Sequence, residues 1–366
     1  MIRIIGVGDI MPGGVLTGVD QGYMSPEITE ILKGGDIRVG TLETAVGNSP
    51  TFSQEKMSRK KDVIYTLDRD MPKLTQLGMD IVSLANNHFF DLGEEGAKHT
   101  IELLDKMGIQ HIGAGKNLQE ASKPAVMVVG DKTVAFVGFC DWRDETVGWC
   151  PMATDNAWGV NPMYDDHVQA TIRKCKDQYD YVVSIPHWGR EGHAYPTDHE
   201  YKMAKLMMAS GADLVLGGHT HCIQPIYHKN NKSVVFSMGN FLFPDRLIAP
   251  PRSTYYPEGP MDIASLPTTE RYPFVDTVTL KKWRKYTRYG QIVTTQIGDG
   301  TVRTQGHITR LTEDNRIELW QQKYPHQRQV KTASLALDSG CYLLFYQIQR
   351  LKNYMKPHVK KMIGWK

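Results

Sequence analysis

"GADLVLGGHTHCIQPI", Gly211 to Ile226, is the stretch from which the fold can be read. Its apolar run, Leu214 to Leu216, has the length of a buried strand and ends in Gly217 and Gly218. His219 and His221 follow at once, with Thr220 between them. Two imidazoles two residues apart on a turn can address two metal ions from one side. The glycines are expected to let the backbone turn sharply where the strand stops.

Outward from this stretch, β-rich runs alternate with helical patterns. Strands are predicted at Ile2–Val7, Ile37–Leu42, Ile81–Leu84, Val126–Val129, Val134–Phe139, Tyr181–Ile185 and Val234–Ser237, besides Leu214–Leu216. Helices are predicted at Met71–Leu77, Gly96–Met107, His167–Gln178 and His199–Ala209. Apolar strands alternating with helices argue for an α/β fold with helices over the sheet faces. Cys222–His228 and Lys232–Met238, joined by "KNNK", read as a hairpin, so the sheets are expected to be mixed. From Pro244 to Pro273, seven prolines in thirty residues predict a long irregular loop. Phe274–Leu280, Ile292–Gly298, Thr301–Thr309 and Arg316–Leu319 then read as an antiparallel extension, and Ser334–Met355 as a terminal helix with an apolar stripe of Leu337, Leu344, Ile348, Leu351 and Met355. The expected organisation is a catalytic unit over 1–245, a Pro-rich loop over 246–273, a β extension packed on the core over 274–320 and a basic helical tail over 321–366.

Composition sets the class. The 366 residues are 41% hydrophobic and 23% charged, ordinary for a folded protein. The net charge of +3 hides an asymmetry: the last 46 residues carry +8, which leaves −5 on the first 320. Five scattered cysteines with no CxxC pair argue against a thiolate zinc site or a disulfide framework. Neither a signal peptide nor a transmembrane segment is legible, so a cytoplasmic location is expected, with peripheral membrane contact at the inner face through 334–366. No nucleic-acid module is recognisable.

Chemistry-bearing residues recur at strand ends. Asp9 follows the first strand, Glu43 the second, "ANNH" (Ala85 to His88) the third, His187 the strand at Tyr181, and His219 and His221 the strand at Leu214. Ligand sites in α/β sheets form outside the carboxyl ends of strands, so these groups are expected to meet in one crevice. Carboxylate, carboxamide and imidazole donors together suit Mn, Fe, Zn or Co.

In this order the residues resemble the calcineurin-like metallophosphoesterase superfamily. More closely, "GDIM", "LET", "ANNHFFDLGEEG", "IGAG", "PHWGRE", "GADLVLGGHTH" and "FSMGNFLF" resemble the CapA family, named for poly-gamma-glutamate capsule synthesis, over about Ile2 to Phe243. The resemblance implies a four-layer αββα sandwich and two divalent ions (Mn, Fe, Zn or Mg). It implies Asp9 and His221 on one ion, Glu43 bridging, and Asn87, His187 and His219 on the other. Glu43 and His88 would be the catalytic pair, with His88 the general acid; Asn86, Glu191 and Asn240 would contact substrate, Asn240 alternatively only closing the sheet with a turn, and Trp188 would stack on substrate or pack against its loop. The implied function is metal-dependent hydrolysis, phosphoesterase-like, in capsule or exopolysaccharide synthesis, with a polymer or phosphorylated substrate and capsule-synthesis partners. Alternatives are a gamma-glutamyl amide hydrolase or transferase and a non-catalytic assembly or export component. Two departures stand out. Met11 occupies the place of a usual histidine ligand, which leaves the first ion one ligand short, and the bridging acid is Glu43 rather than an aspartate.

Overall fold

The computed structural model describes residues 1–48, 62–141, 150–271 and 274–362, with side chains through 352. Two mixed sheets face each other. The first has seven strands in the order Ile317–Leu319, Thr301–Leu311, Tyr289–Gly298, Ile2–Ile10, Ile37–Leu42, Ile81–Ser83 and Gln110–Ile112. Its last four strands run parallel, and the three C-terminal strands pair antiparallel. The second has six strands in the order Ile226–Lys229, Lys232–Val235, Leu214–Leu216, Tyr181–His187, Lys132–Cys140 and Ala125–Val129, four of them parallel.

Strand alternation builds the layers. Ile2 and Ile4 point between the sheets and meet Phe136, Val183, Ile185 and Leu216. Ile5 and Val7, on the opposite face, pack under helices Pro26–Lys33 and Gly93–Lys106 through Ile28, Leu32, Ala97 and Leu104. On the second sheet Ala135, Val137 and Val182 face outward against helices Asp165–Lys176 and Asp198–Ser210. The arrangement is the four-layer αββα sandwich that the family resemblance implies.

The predicted strands and helices of the first 245 residues are present, their ends shifted by a few residues at most. Helix Pro26–Lys33 and strand Gln110–Ile112 went unread, both too short for a clear period.

The C-terminal third differs more. The Pro-rich stretch is not wholly irregular: Arg246–Ala249, Ser253–Tyr255 and Thr268–Thr269 form a small sheet with Thr279–Lys281. The first strand expected in the extension therefore belongs to that small sheet. The other three continue the first large sheet, Tyr289–Gly298 pairing with Ile2–Ile10 from Ile2↔Ile297 to Gly6↔Val293. The terminal helix is two helices, Gln327–Asp338 and Tyr342–Met362, broken at Gly340 (φ 74°). Ala333, Leu337 and Tyr342 join the outer core of the second sheet, while Leu344, Ile348 and Leu351 of the expected stripe face solvent. The Met355 side chain lies outside the described residues.

Candidate metal centre

Six parallel strand ends, three from each sheet, converge on one buried crevice. The first sheet contributes Asp9, Glu43 and Asn87; the second contributes His187, the His219–His221 turn and Asn240, which follows strand Lys232–Val235. All seven residues are buried.

The glycines before the histidines act through close approach. A Cβ on Gly217 would lie 2.0 Å from Phe236 O, and one on Gly218 would lie 2.6 Å from Asp9 Oδ1. The sharp turn is instead made by the histidines themselves, at φ 84° for His219 and 51° for His221. Left-handed backbone at non-glycine residues costs energy and clusters at functional sites. The turn also brings His219 N to 3.1 Å from Asp9 Oδ2, which accepts its hydrogen bond.

Two overlapping ligand sets result. His187 Nε2 lies 2.8 Å from Asn87 Oδ1, 3.1 Å from His219 Nδ1 and 3.4 Å from Glu43 Oε1. His221 Nδ1 lies 2.8 Å from Asn240 Oδ1, 3.5 Å from Asp9 Oδ2 and 3.7 Å from Glu43 Oε2. Donor atoms about 2.1 Å from a common ion lie roughly 3.0–3.4 Å from one another, so most of these separations suit shared coordination. Glu43 presents one oxygen to each set, and the triads Glu43–His187–His219 and Asp9–Glu43–His221 each fit around an ion.

Electrostatics agree with the geometry. Both Glu43 oxygens and Asp9 Oδ1 are buried and accept no hydrogen bond among the described residues. A buried carboxylate left in that state costs several kcal/mol unless a cation joins it. Burial pushes the Glu43 carboxyl up, with His221 and His219 pulling it back. Burial disfavours the His221 imidazolium, but Glu43 and Asp9 outweigh it and hold the group up at about 9. The pocket demands positive charge, which divalent ions would supply; these residues fit them.

Other expected site residues take different places. His88 Nδ1 is 2.7 Å from Asp91 Oδ2, an orienting partner that the sequence reading passed over. Asn86 is engaged within the protein: its Nδ2 donates to Leu42 O and its Oδ1 accepts from His88 N, tying the second strand to the turn. Trp188 takes the packing alternative. Strand alternation sends it to the face opposite His187, where it is fully buried, stacks on Phe236 and donates from Nε1 to Phe236 O. Asn240 is drawn in by backbone pairing, since Asp9 N donates to Gly239 O and Phe241 N to Asp9 O. Its carboxamide oxygen faces His221 and its Nδ2 donates to Thr287 O.

Glu191 stands at the rim, lining with His221, Lys281, Trp283 and Arg284 a cavity of about 200 Å³. Trp283 packs 4.9 Å from the His221 ring, so the small sheet supplies one wall of the site. Lys281 is buried there, and burial with the Arg246 charge pushes its ammonium down to about 8.

A family model described as bacterial capsule synthesis protein PGA_cap matches residues 3–245. The PGA biosynthesis protein CapA of Bacillus subtilis (strain 168) is 29% identical over 243 residues, covering 65% of this chain and 62% of its own length. The capsule biosynthesis protein CapA of Bacillus anthracis is 29% identical over 248 residues, covering 65% and 58%. The chain thus spans about three fifths of the length of these relatives. A solved 5'-nucleotidase from Candida albicans SC5314 aligns over 86% of this chain and 52% of its own, at 11% identity and a TM-score of 0.42.

Proposed function

The chain belongs to the bacterial capsule synthesis protein family PGA_cap, and from that premise we propose that it is a metal-dependent hydrolase or transferase acting in the synthesis of an anionic capsule polymer. The observation that carries this reading is Glu43: fully buried, without hydrogen bonds among the described residues, and presenting one oxygen to each of two ligand sets. Asp9, Glu43 and His221 would hold one ion; Glu43, Asn87, His187 and His219 would hold the other. Met11 is buried in the apolar core, and Asn240 Oδ1, 2.8 Å from His221 Nδ1, would take the ligand place that it leaves on the first ion. Bound there, divalent ions supply Lewis-acid charge and activate water.

The chain's own groups do the rest. Asp91 fixes the His88 ring through Nδ1, and the imidazole so oriented would give a proton to a departing oxygen or nitrogen. The positive-φ turn holds His219 and His221 in place before substrate arrives, so little reorganisation is needed at the moment of reaction.

Protein loaded with Mn or Zn, assayed on phosphomonoester, phosphodiester and poly-gamma-glutamate substrates, tests the proposal. Turnover that depends on added metal and is lost in His221→Ala is the expected result. Two bound ions with no turnover on any of these substrates would overturn it in favour of an assembly component. The exposed leucines of the last helix favour a compatible second role, contact with a membrane surface or with a synthesis-complex component.

A further inference from the structure

We propose that the chain forms a twofold-symmetric dimer in which strand Ala125–Val129 pairs antiparallel with the same strand of a second copy. None of the crevice residues lies on this strand, so the inference is independent of the proposed chemistry. Ala125–Val129 is an outer strand of the second sheet, paired on one side only, with Lys132–Cys140.

The hairpin decides which backbone groups face outward. Its two strands are joined by Gly130 and Asp131, a two-residue turn with Gly130 at φ 62°. Val129 and Lys132 close the hairpin, which leaves Val128 opposite Thr133 as a pair that exchanges no hydrogen bonds. The Thr133 amide agrees with this phase, since it donates to Asp180 Oδ2 at 2.8 Å on the opposite side. The N–H and C=O groups of Val126 and Val128 thus point away from the sheet. No hydrogen bond outside the hairpin engages them among the described residues. A bare edge of five apolar residues is a template for another strand.

The surrounding sequence fits a second copy of itself. In a pairing centred on Met127, Val126 stands opposite Val128 of the second copy, so the outward groups meet. Val128, 68% exposed, gains a β-branched neighbour across the new strand pair. The same register sets Lys123 against Asp131 of the second copy, once at each end. Both residues are exposed, and Asp131 reaches only Lys132 among the described residues, at 3.6 Å. Sliding the pairing by two residues either way would set Lys123 against Val129 or Thr133 instead, so the charges select the centred register. Pro124 borders a cleft of about 550 Å³ that Lys123 and Lys174 also line. The Gly130–Asp131 turn of the second copy, opposite Pro124 and Lys123, sits at its mouth with the acid beside these lysines.

Sedimentation velocity of the full chain across a concentration range, combined with hydrogen exchange, tests the interface. Wild type is expected to dimerise with a Kd of about 10–100 µM, because the contact is small. The Val126 and Val128 amides should become protected as the dimer forms. Val128→Pro removes only an outward N–H, and should leave the chain folded but monomeric. Lys123→Asp and Asp131→Lys each set like charges against each other and should weaken the dimer about tenfold, whereas the two combined should restore it. Any of three results ends the proposal: a monomer at every concentration, a dimer in which those two amides stay unprotected, or a double variant no tighter than either single one.

Discussion

In the crevice, the Asp9 and Glu43 carboxylates are 0% exposed; on helix Tyr342–Met362, Leu344 and Leu351 are each 60% exposed. Polar groups sit dry in one region and apolar groups sit wet in the other. The magnitudes separate the two cases. A buried uncompensated charge costs several kcal/mol, while a leucine left in water forgoes about 1.5–3 kcal/mol and clashes with nothing. The crevice is therefore committed to cations, whereas the helix face can wait in water for an occasional contact.

The largest effect is expected at Glu43. Glu43→Gln should weaken binding of both ions by more than about 100-fold, since even an outer partner of a metal ligand contributes 10–100-fold. The same change removes the buried charge, so the metal-free variant should be more stable than metal-free wild type by about 1–3 kcal/mol. Thermal unfolding with and without Mn reads both. A variant that keeps the Mn-dependent rise in Tm, or loses stability without metal, would break the comparison.

Glu200 sharpens it, being a buried acid outside the crevice. Burial pushes its carboxyl up to about 7, against the hydrogen bond that it accepts from Thr197 N. Its ionisation costs nothing below about pH 4.5 and is resisted progressively up to about 7, so wild type should lose on the order of 3 kcal/mol across that window relative to Glu200→Gln. Denaturant unfolding of both proteins at pH 4.5 and pH 8 measures the difference; parallel curves would refute it.

At Asn240 the expectation is smaller and confined to one ion. Asn240→Leu should cost about 10–100-fold in affinity for one of two ions, and Asn240→Asp should restore it, as isothermal titration with Mn can follow. Loss at both ions, or at neither, would remove Asn240 from the ligand set.

Smallest of all is the helix face. Leu344→Glu with Leu351→Glu should change stability by less than about 0.5 kcal/mol, because neither side chain is buried. The same pair should abolish co-sedimentation with anionic vesicles, and unchanged co-sedimentation would argue against the membrane contact.

How much of this was legible follows from distance along the chain. Asp9, Glu43, His187, His219 and His221 each stand just after a strand visible in its own local pattern, and the rule that ligands gather at carboxyl ends brought them together. Strand alternation already favours packing over substrate contact for Trp188, since it sends the ring away from the side His187 faces, whereas no local pattern shows that Asn86 ties the second strand to the turn. The sequence already put Asn240 at the crevice, but its approach to His221 depends on backbone pairing with Asp9, across 231 residues, which no local pattern shows. Trp283 and Lys281 reach the crevice through a small sheet whose strands are two to four residues long, too short to carry a period.

The pairing of Ile2 with Ile297 carries a consequence for how the protein is made. The family match ends at residue 245, yet the strand that covers one side of Ile2–Ile10 begins at Tyr289. A fragment trimmed to the matched region would leave a bare hydrogen-bonding edge, open to association with other chains. During translation the same edge waits until nearly three hundred residues have been added, so the earliest-made strand is among the last to be closed.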